Sequence, residues 1–163
     1  MGRGSDTKPV EAHHGKAGDP GAAAASGPSP ERAMWARDAA SQGLGMELLS
    51  SGDGAARVRM TVTAAMVNGH GVAHGGFLFT LADTAFALAC NSRGPVTVGA
   101  GADIDFLAPA FEGDVLVAEA AERARFGRSG LYDVRIERDD PQHSIVVEFR
   151  GRSRVIRGVE ETA

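Results

Sequence analysis

The sequence predicts an α+β protein in which one long central helix is wrapped by a curved antiparallel sheet. One apolar run of helical length, residues 77–90, lies in the middle of the chain. Segments in which apolar and polar residues alternate precede and follow it, and a period of two is typical of strands with one buried face. No helical segments separate the later strands, so a doubly wound parallel sheet is excluded.

The chain is predicted to begin with a disordered leader, residues 1–28, which precedes a folded domain over residues 29–163. The leader is rich in Gly, Ala, Pro and Ser, which offer few side chains that could offset the entropy of ordering. Structure is expected to begin at Ser29-Pro30-Glu31, because Ser caps helices, Pro suits the first helical position and an acid complements the helix dipole. We expect this first helix to end near Gly43.

Two strands joined by a tight turn are predicted next. The turn is Gly52-Asp-Gly54, a sequence typical of β-hairpins. In the second strand, Val58, Met60 and Val62 alternate with polar residues, which indicates one buried and one solvent-facing side.

The middle of the chain changes character. A glycine-rich loop, residues 68–76, leads directly into the apolar helix, and a helix that is apolar on nearly every side is predicted to be buried. After Gly94-Pro95 the period of two returns and predicts about four strands. These strands include residues 96–106, 114–118, 132–136 and 145–156.

Composition limits the classes of function. Seventeen Lys and Arg against twenty-one Asp and Glu give a formal charge of -4, whereas nucleic-acid-binding domains are usually basic. The single cysteine, Cys90, excludes an internal disulfide framework, and it favours core packing in a reducing compartment, so a cytoplasmic location is expected. No signal-like segment or bilayer-length apolar run is present, so we expect neither a nucleic-acid nor a membrane partner.

The start of the apolar helix is a candidate binding site. His74-Gly75-Gly76 places free backbone N–H groups and the positive end of the helix dipole next to glycines, which let a ligand approach the backbone. Such a site can hold a phosphate, a carboxylate or the developing oxyanion of acyl transfer. The same residues also fit a tight turn that needs glycine to enter a buried helix.

Asp83 favours the functional interpretation. A carboxylate in an apolar helix carries a large desolvation cost unless it is paired or functional. A structural Asp paired with a backbone N–H or an Arg is the alternative. Together with the helix start, Asp83 suggests hydrolysis of an activated acyl group, in which it acts as a general base or a nucleophile. His70 and His74 lie among glycines rather than on a helix, so we expect no metal site.

A set of longer motifs extends along the chain from residue 31 to residue 157. They are Val62-Thr63, Asn68-Gly-His, His74-Gly-Gly-Phe-Leu-Phe-Thr-Leu-Ala-Asp-Thr-Ala-Phe-Ala, Cys90-Asn-Ser-Arg-Gly, Asp103-Ile-Asp-Phe-Leu-Ala-Pro, Gly113-Asp, Gly130-Leu-Tyr-Asp-Val and Phe149-Arg-Gly-Arg-Ser. In this combination the chain resembles the phenylacetate-degradation (PaaI-type) hotdog-fold thioesterases. The His-Gly-Gly turn alone marks only the wider hotdog superfamily.

The resemblance implies an enzyme that hydrolyses acyl-CoA thioesters, with phenylacetyl-CoA or its hydroxylated derivatives as the favoured substrates. It implies that Asp83 is the nucleophile or general base and that the backbone N–H of Gly75 is the oxyanion donor. Asn68 and His74 match the residues that position the water and the thioester. Coenzyme A is then part of the substrate, and no cofactor is needed.

The resemblance also implies a homotetramer, a dimer of dimers, in which Asp83 of one subunit meets the loop of another at each dimer interface. We assign Gly76, Thr84, Arg128 and Ser129 to substrate binding. Arg128 and Ser129 are candidates for the coenzyme A phosphates, as is the series Arg150, Arg152 and Arg154; a solvated strand face is the alternative for most of them. A non-catalytic acyl-CoA sensor of the same fold remains an alternative, as does a dehydratase with a paired His and carboxylate. Release of free coenzyme A thiol separates a thioesterase from a sensor.

Overall fold

Two short helices, α1 (Pro30–Trp35) and α2 (Ala39–Gly43), open the part of the chain that the computed structural model describes, residues 27–157 in addition to Met1. The predicted leader therefore lies almost wholly outside the described residues. One continuous helix was expected up to Gly43, but the helix is interrupted before Ala39. Asp38 has a non-helical backbone, and its side chain caps α2 by accepting the Ser41 N–H at 3.0 Å. An Asp that can bond to the backbone three residues ahead favours a new helix start over continuation.

Apart from a one-turn 3₁₀ helix, Ala64–Met66, the remaining elements are one long helix and six strands. In chain order they are β1 (Glu47–Gly52), β2 (Ala55–Thr61), α3 (Gly75–Asn91), β3 (Val96–Phe106), β4 (Val115–Phe126), β5 (Ser129–Arg138) and β6 (Ile145–Arg157). The strands form one antiparallel sheet in the order β1-β2-β4-β5-β6-β3. The predicted α+β class, with a central helix wrapped by an antiparallel sheet, is confirmed, and it is the arrangement of the hotdog fold.

The first hairpin forms as the sequence predicts. Asp53 and Gly54 adopt left-handed conformations, with φ of 50° and 78°, between two paired strands. Glycine and Asp tolerate this region better than other residues, which explains why the turn falls at Gly52-Asp-Gly54.

The helix α3 is buried on most of its surface, but one stripe of it is uncovered. Leu81, Ala85 and Leu88 are fully buried against the inner face of the sheet. Asp83 is exposed on the opposite side of the helix, and Phe79 is partly exposed, with its ring packed edge-on against Phe149 of β6. The expectation that α3 is buried all round is therefore wrong for the single chain, because the curved sheet covers only part of the circumference of the helix.

The strand β3 forms one edge of the sheet. It pairs with β6 along its length and with no other strand among the described residues. Val96 and Val98 on this strand are exposed, as is Phe106 at its end. A long edge strand with apolar side chains is a surface that proteins usually cover.

No helix in the described residues is both long enough and apolar enough to cross a membrane.

Candidate active site

The loop before α3 is held in a fixed shape by hydrogen bonds around Asn68. Val67 and Ala73 form an isolated antiparallel bridge at its base. The Asn68 side-chain oxygen, Oδ1, accepts the N–H of His70 at 2.8 Å and that of Val72 at 3.4 Å. Because both bonds are made to the oxygen, the amide Nδ2 of Asn68 remains a donor with no acceptor in the described part of the chain.

His74 is the N-cap residue of α3, with an extended backbone. Its ring nitrogen Nδ1 accepts the backbone N–H of Gly76 at 2.9 Å. The neutral ring therefore carries its proton on Nε2, a tautomer assigned from this hydrogen bond. The predicted substrate-binding residue Gly76 has its backbone N–H engaged by this cap, so that N–H is occupied before any substrate arrives.

Gly75 is the first residue of α3, and its backbone N–H has no acceptor among residues 27–157. This is one of the unsatisfied donors of a helix start, and the helix dipole makes it attractive to negative charge. Asn68 and Gly75 line one open cleft of about 470 Å³. The structure thus brings two of the predicted catalytic residues together, with donors suited to a developing oxyanion.

Asp83 lies on the uncovered stripe of α3 and makes no hydrogen bond or ion pair within the described residues. Its surroundings are apolar, and desolvation raises the pKa of its carboxyl above the ordinary value. The alternative of a paired structural Asp therefore finds no partner in the described part of this chain. An unpaired carboxylate with a raised pKa is suited to accept a proton or attack a carbonyl carbon.

Asp83 and Gly75 are too far apart to act on one thioester within a single chain. They lie on one helix and eight residues apart in sequence. At the helical rise this spacing corresponds to about 12 Å along the axis. A reacting carbonyl must lie within about 3 Å of both the donor and the attacking group.

Thr84, also assigned to substrate binding, is buried and faces α2. Its hydroxyl lies 2.9 Å from that of Ser41, which in turn donates to the Asp38 carboxylate at 2.6 Å. These contacts connect α3 to α2 on the side of the helix away from the uncovered stripe. The structure therefore does not bring the Thr84 hydroxyl to the cleft beside Gly75.

Arg128 and Ser129 lie at the turn between β4 and β5, where Gly127 has a φ of 56°. The Arg128 Nε donates to the carbonyl of Val155 at 2.8 Å. Ser129 lines a second cleft of about 360 Å³, which Arg154 also lines. The structure groups these residues in a cationic region that is separate from the cleft beside Gly75.

The arginines of β6 differ in their partners. Arg150 bonds to Asp133 at 2.7 and 3.0 Å, and Arg152 bonds to Asp103. Arg154 has no carboxylate partner in the described part of the chain. Arg154 is therefore the member of this series that is open to an external anion.

Phe106 was not singled out as a site residue from the sequence. Its ring lies over Gly75, so that a β-carbon placed on Gly75 would stand 2.9 Å from Cζ of Phe106. Phe106 also lines the cleft with Asn68 and Gly75. The signal in the sequence is an aromatic residue at the end of a strand, just ahead of Leu107 and Pro109, but only the fold shows which helix it faces.

Fold and site together define a hotdog-fold protein with acyl-transfer features at the start of its central helix. Comparison with known proteins extends this. Residues 70–145 match the model of the thioesterase superfamily. The acyl-coenzyme A thioesterase PaaI of Escherichia coli (strain K12) is 48% identical over 126 residues, which cover 77% of this chain and 89% of that protein. The chain belongs to the thioesterase superfamily, among its PaaI-type acyl-CoA thioesterases.

Solved structures agree with this assignment. The E. coli PaaI protein from the phenylacetic acid degradation operon superposes with a TM-score of 0.76 and 47% identity, over 79% of this chain and 92% of that chain. A hypothetical thioesterase from Streptococcus pneumoniae TIGR4, solved with coenzyme A, has a TM-score of 0.66 and 26% identity, over 69% and 87% of the two chains. The predicted family and fold are confirmed.

Proposed function

We propose that this protein hydrolyses arylacetyl-CoA thioesters, of the phenylacetyl-CoA or hydroxyphenylacetyl-CoA type, to the free acid and coenzyme A. The observation that carries the proposal concerns residues 27–157, within which the Asp83 carboxyl has no partner and the backbone N–H of Gly75, the first residue of the same helix, has no acceptor. One relative is named an acyl-coenzyme A thioesterase, and its solved structure is described as coming from a phenylacetic acid degradation operon, which supports the choice of substrate.

The proposed reaction consumes one water molecule. Asp83 either accepts a proton from that water as it attacks the thioester carbonyl carbon, or attacks the carbon itself and is then released by water. The carbonyl oxygen gains negative charge, which the Gly75 N–H stabilises, with further donors available at Asn68 Nδ2 and His74 Nε2. The carbon–sulfur bond then breaks, and coenzyme A leaves as its thiolate.

The site is proposed to form between two subunits of a dimer. About 12 Å of helix separates Asp83 from Gly75 in one chain, so the two groups meet at one thioester only if they come from different chains. Within the part of the chain that the structure describes, the stripe of α3 around Asp83 and the outer edge of β3 have no covering element, which gives a second copy of the chain a surface to cover. Two such dimers would form the expected homotetramer.

The coenzyme A phosphates are proposed to lie near Arg128 and Ser129. Both residues belong to a turn at which Arg154 also offers an unpaired cation within the described residues. Arg guanidinium groups bind phosphate oxygens well, because they present several donors in a fixed plane.

A thiol-release assay tests the function. The purified chain is given phenylacetyl-CoA and a panel of straight-chain acyl-CoAs, and kcat/KM is measured from the coenzyme A released. The chain's single cysteine does not interfere, because Cys90 is buried and burial raises the pKa of its thiol to about 12. Binding of acyl-CoA without release of thiol would overturn the proposal in favour of a sensor.

A further inference from the structure

The end of β3 places an aromatic side chain beside the proposed oxyanion donor. Ala102 and Ile104 on the same face of β3 pack against the core beneath α3. Phe106 continues this face at the end of the strand, and 53% of the residue is exposed. Its ring lies over Gly75, the first residue of the helix.

The surrounding loop fixes this position. The Leu107 N–H donates to the carbonyl of Val146 at 2.9 Å, and the Ala73 N–H donates to that of Ala110 at 2.8 Å. The first bond holds the residue after Phe106 to β6, and the second holds the following loop to the segment that enters α3. Phe106 is therefore held at the helix start by backbone bonds on both sides of the loop.

The cleft that Phe106 lines has one polar end and an otherwise apolar lining. Asn68 and the Gly75 N–H form the polar end, while Leu78, Leu107 and Pro109 contribute apolar walls. Phe106 is the one aromatic side chain among the described residues that line it. A thioester whose carbonyl oxygen is bound at Gly75 would place the first carbons of its acyl group against this ring.

We propose that Phe106 is the residue that selects acyl groups with an aromatic ring near the thioester carbonyl. Its ring forms an edge-to-face or offset contact with the aryl ring of the substrate, and such a contact exceeds that given by an aliphatic group of the same size. The inference rests on the proposed function and adds to it the contact by which arylacetyl groups are recognised.

The test compares phenylacetyl-CoA with cyclohexylacetyl-CoA, which has a saturated ring of similar size. For the wild type, the ratio of the two kcat/KM values measures the preference for an aromatic ring. We expect Phe106→Leu to lower this ratio by about two- to tenfold, the range of an aromatic pair. Phe106→Tyr, which keeps the ring, should preserve it.

Phe111→Leu is the matched control. Phe111 lies a few residues further along, is similarly exposed, and does not line the cleft. An unchanged ratio in Phe106→Leu, or an equal fall in Phe111→Leu, would overturn the inference. Light scattering shows whether Phe106→Leu still assembles. A variant that dissociates but keeps the wild-type ratio of the two kcat/KM values would also overturn the inference, because Phe106 would then serve subunit contact only. Failure of the wild type to release thiol from either substrate would instead overturn the proposed function itself.

Discussion

The Nδ1 atom of His74 accepts the backbone N–H of Gly76 at 2.9 Å and so caps α3 with an imidazole. Ser, Thr, Asp and Asn are the usual residues at this position. A histidine there satisfies one donor of the helix start and at the same time directs its protonated nitrogen, Nε2, away from the helix. One side chain thus combines a structural bond with a second ring nitrogen that can donate.

Two variants of His74 separate these roles. His74→Ala removes both, so we expect it to lower the melting temperature, since an N-cap contributes about 1 kcal/mol, and also to lower kcat. His74→Asn keeps a side-chain acceptor for the cap, while its amide Nδ2 takes the position of the ring carbon Cδ2 and leaves no donor at the position of Nε2. It should recover most of the melting temperature but not kcat. Thermal unfolding and thiol release measure the two effects, and equal recovery of both would assign His74 to the cap alone.

A proline at position 75 tests the oxyanion donor. Gly75 is the first residue of α3, where Pro is tolerated, and the His74 backbone, with φ of -66° and ψ of 131°, suits a residue that precedes Pro. Gly75→Pro therefore removes the N–H with limited effect on the helix. We expect kcat to fall by about 10²–10³, the usual cost of one oxyanion donor.

Gly75→Ala is the control for that variant. It adds the same β-carbon, which displaces the Phe106 ring, but it keeps the N–H. Its kcat should stay well above that of Gly75→Pro. Similar losses in the two variants would show that the ring position, and not the N–H, matters for turnover.

Removal of the Asp83 charge should affect activity and stability in opposite directions. Asp83→Asn is expected to lower kcat roughly a hundredfold or more while acyl-CoA still binds. Because desolvation raises the pKa of Asp83, its charged form destabilises the fold at pH values above the unfolded pKa. The melting temperature of Asp83→Asn at pH 7 should therefore equal or exceed that of the wild type. This difference should vanish below about pH 4, where both states bind the proton.

The exposed residue Asp53, at the tip of the first hairpin, gives a matched control for the Asp-to-Asn change. Asp53→Asn should leave kcat unchanged.

In the wild type, kcat should fall as the pH is lowered and Asp83 takes up a proton. The midpoint of this fall should lie above the pKa of an ordinary Asp. Near-normal kcat in Asp83→Asn would remove Asp83 from the mechanism.

Much of the fold could be predicted because its signals are local. The alternation of Val58, Met60 and Val62 indicates which face of the second strand is buried, and the apolar run predicts the helix α3. Both elements form where expected, although α3 is not buried on every side. The break at Asp38 was missed, since a capping side chain and a helical residue cannot be distinguished until the geometry of the turn is known.

The site was predictable only where its residues are adjacent in sequence. Asn68, His74 and Gly75 belong to one loop, and the structure brings them to the start of α3. Phe106 comes from a strand that reaches this point through sheet pairing, which no local pattern reveals. Thr84 is assigned to substrate binding as well, and the structure shows its hydroxyl facing Ser41 of α2.

Arg128 is expected to contribute to coenzyme A binding through its charge. Arg128→Ala should raise KM for an acyl-CoA by about two- to fivefold, the range for an exposed ion pair, with little change in kcat. It should also weaken the dependence of KM on ionic strength. Arg150→Ala is the control, because the Arg150 guanidinium is already bonded to Asp133. Equal effects of the two variants, or a KM that is insensitive to salt, would place the phosphate site elsewhere.

Mixed assemblies test whether two chains build each active site. Asp83→Asn and Gly75→Pro are co-expressed with different affinity tags, and assemblies that carry both tags are isolated. Each parent variant alone is expected to release thiol about a hundredfold more slowly than the wild type, or slower still. If Asp83 of one chain acts with Gly75 of another, a mixed dimer has one site with both defects and one site with neither, so thiol release should return. If both groups acted within one chain, every site would carry a defect, and the mixed assemblies would be as inactive as their parents. The helical separation of about 12 Å between the two residues leads us to expect recovery.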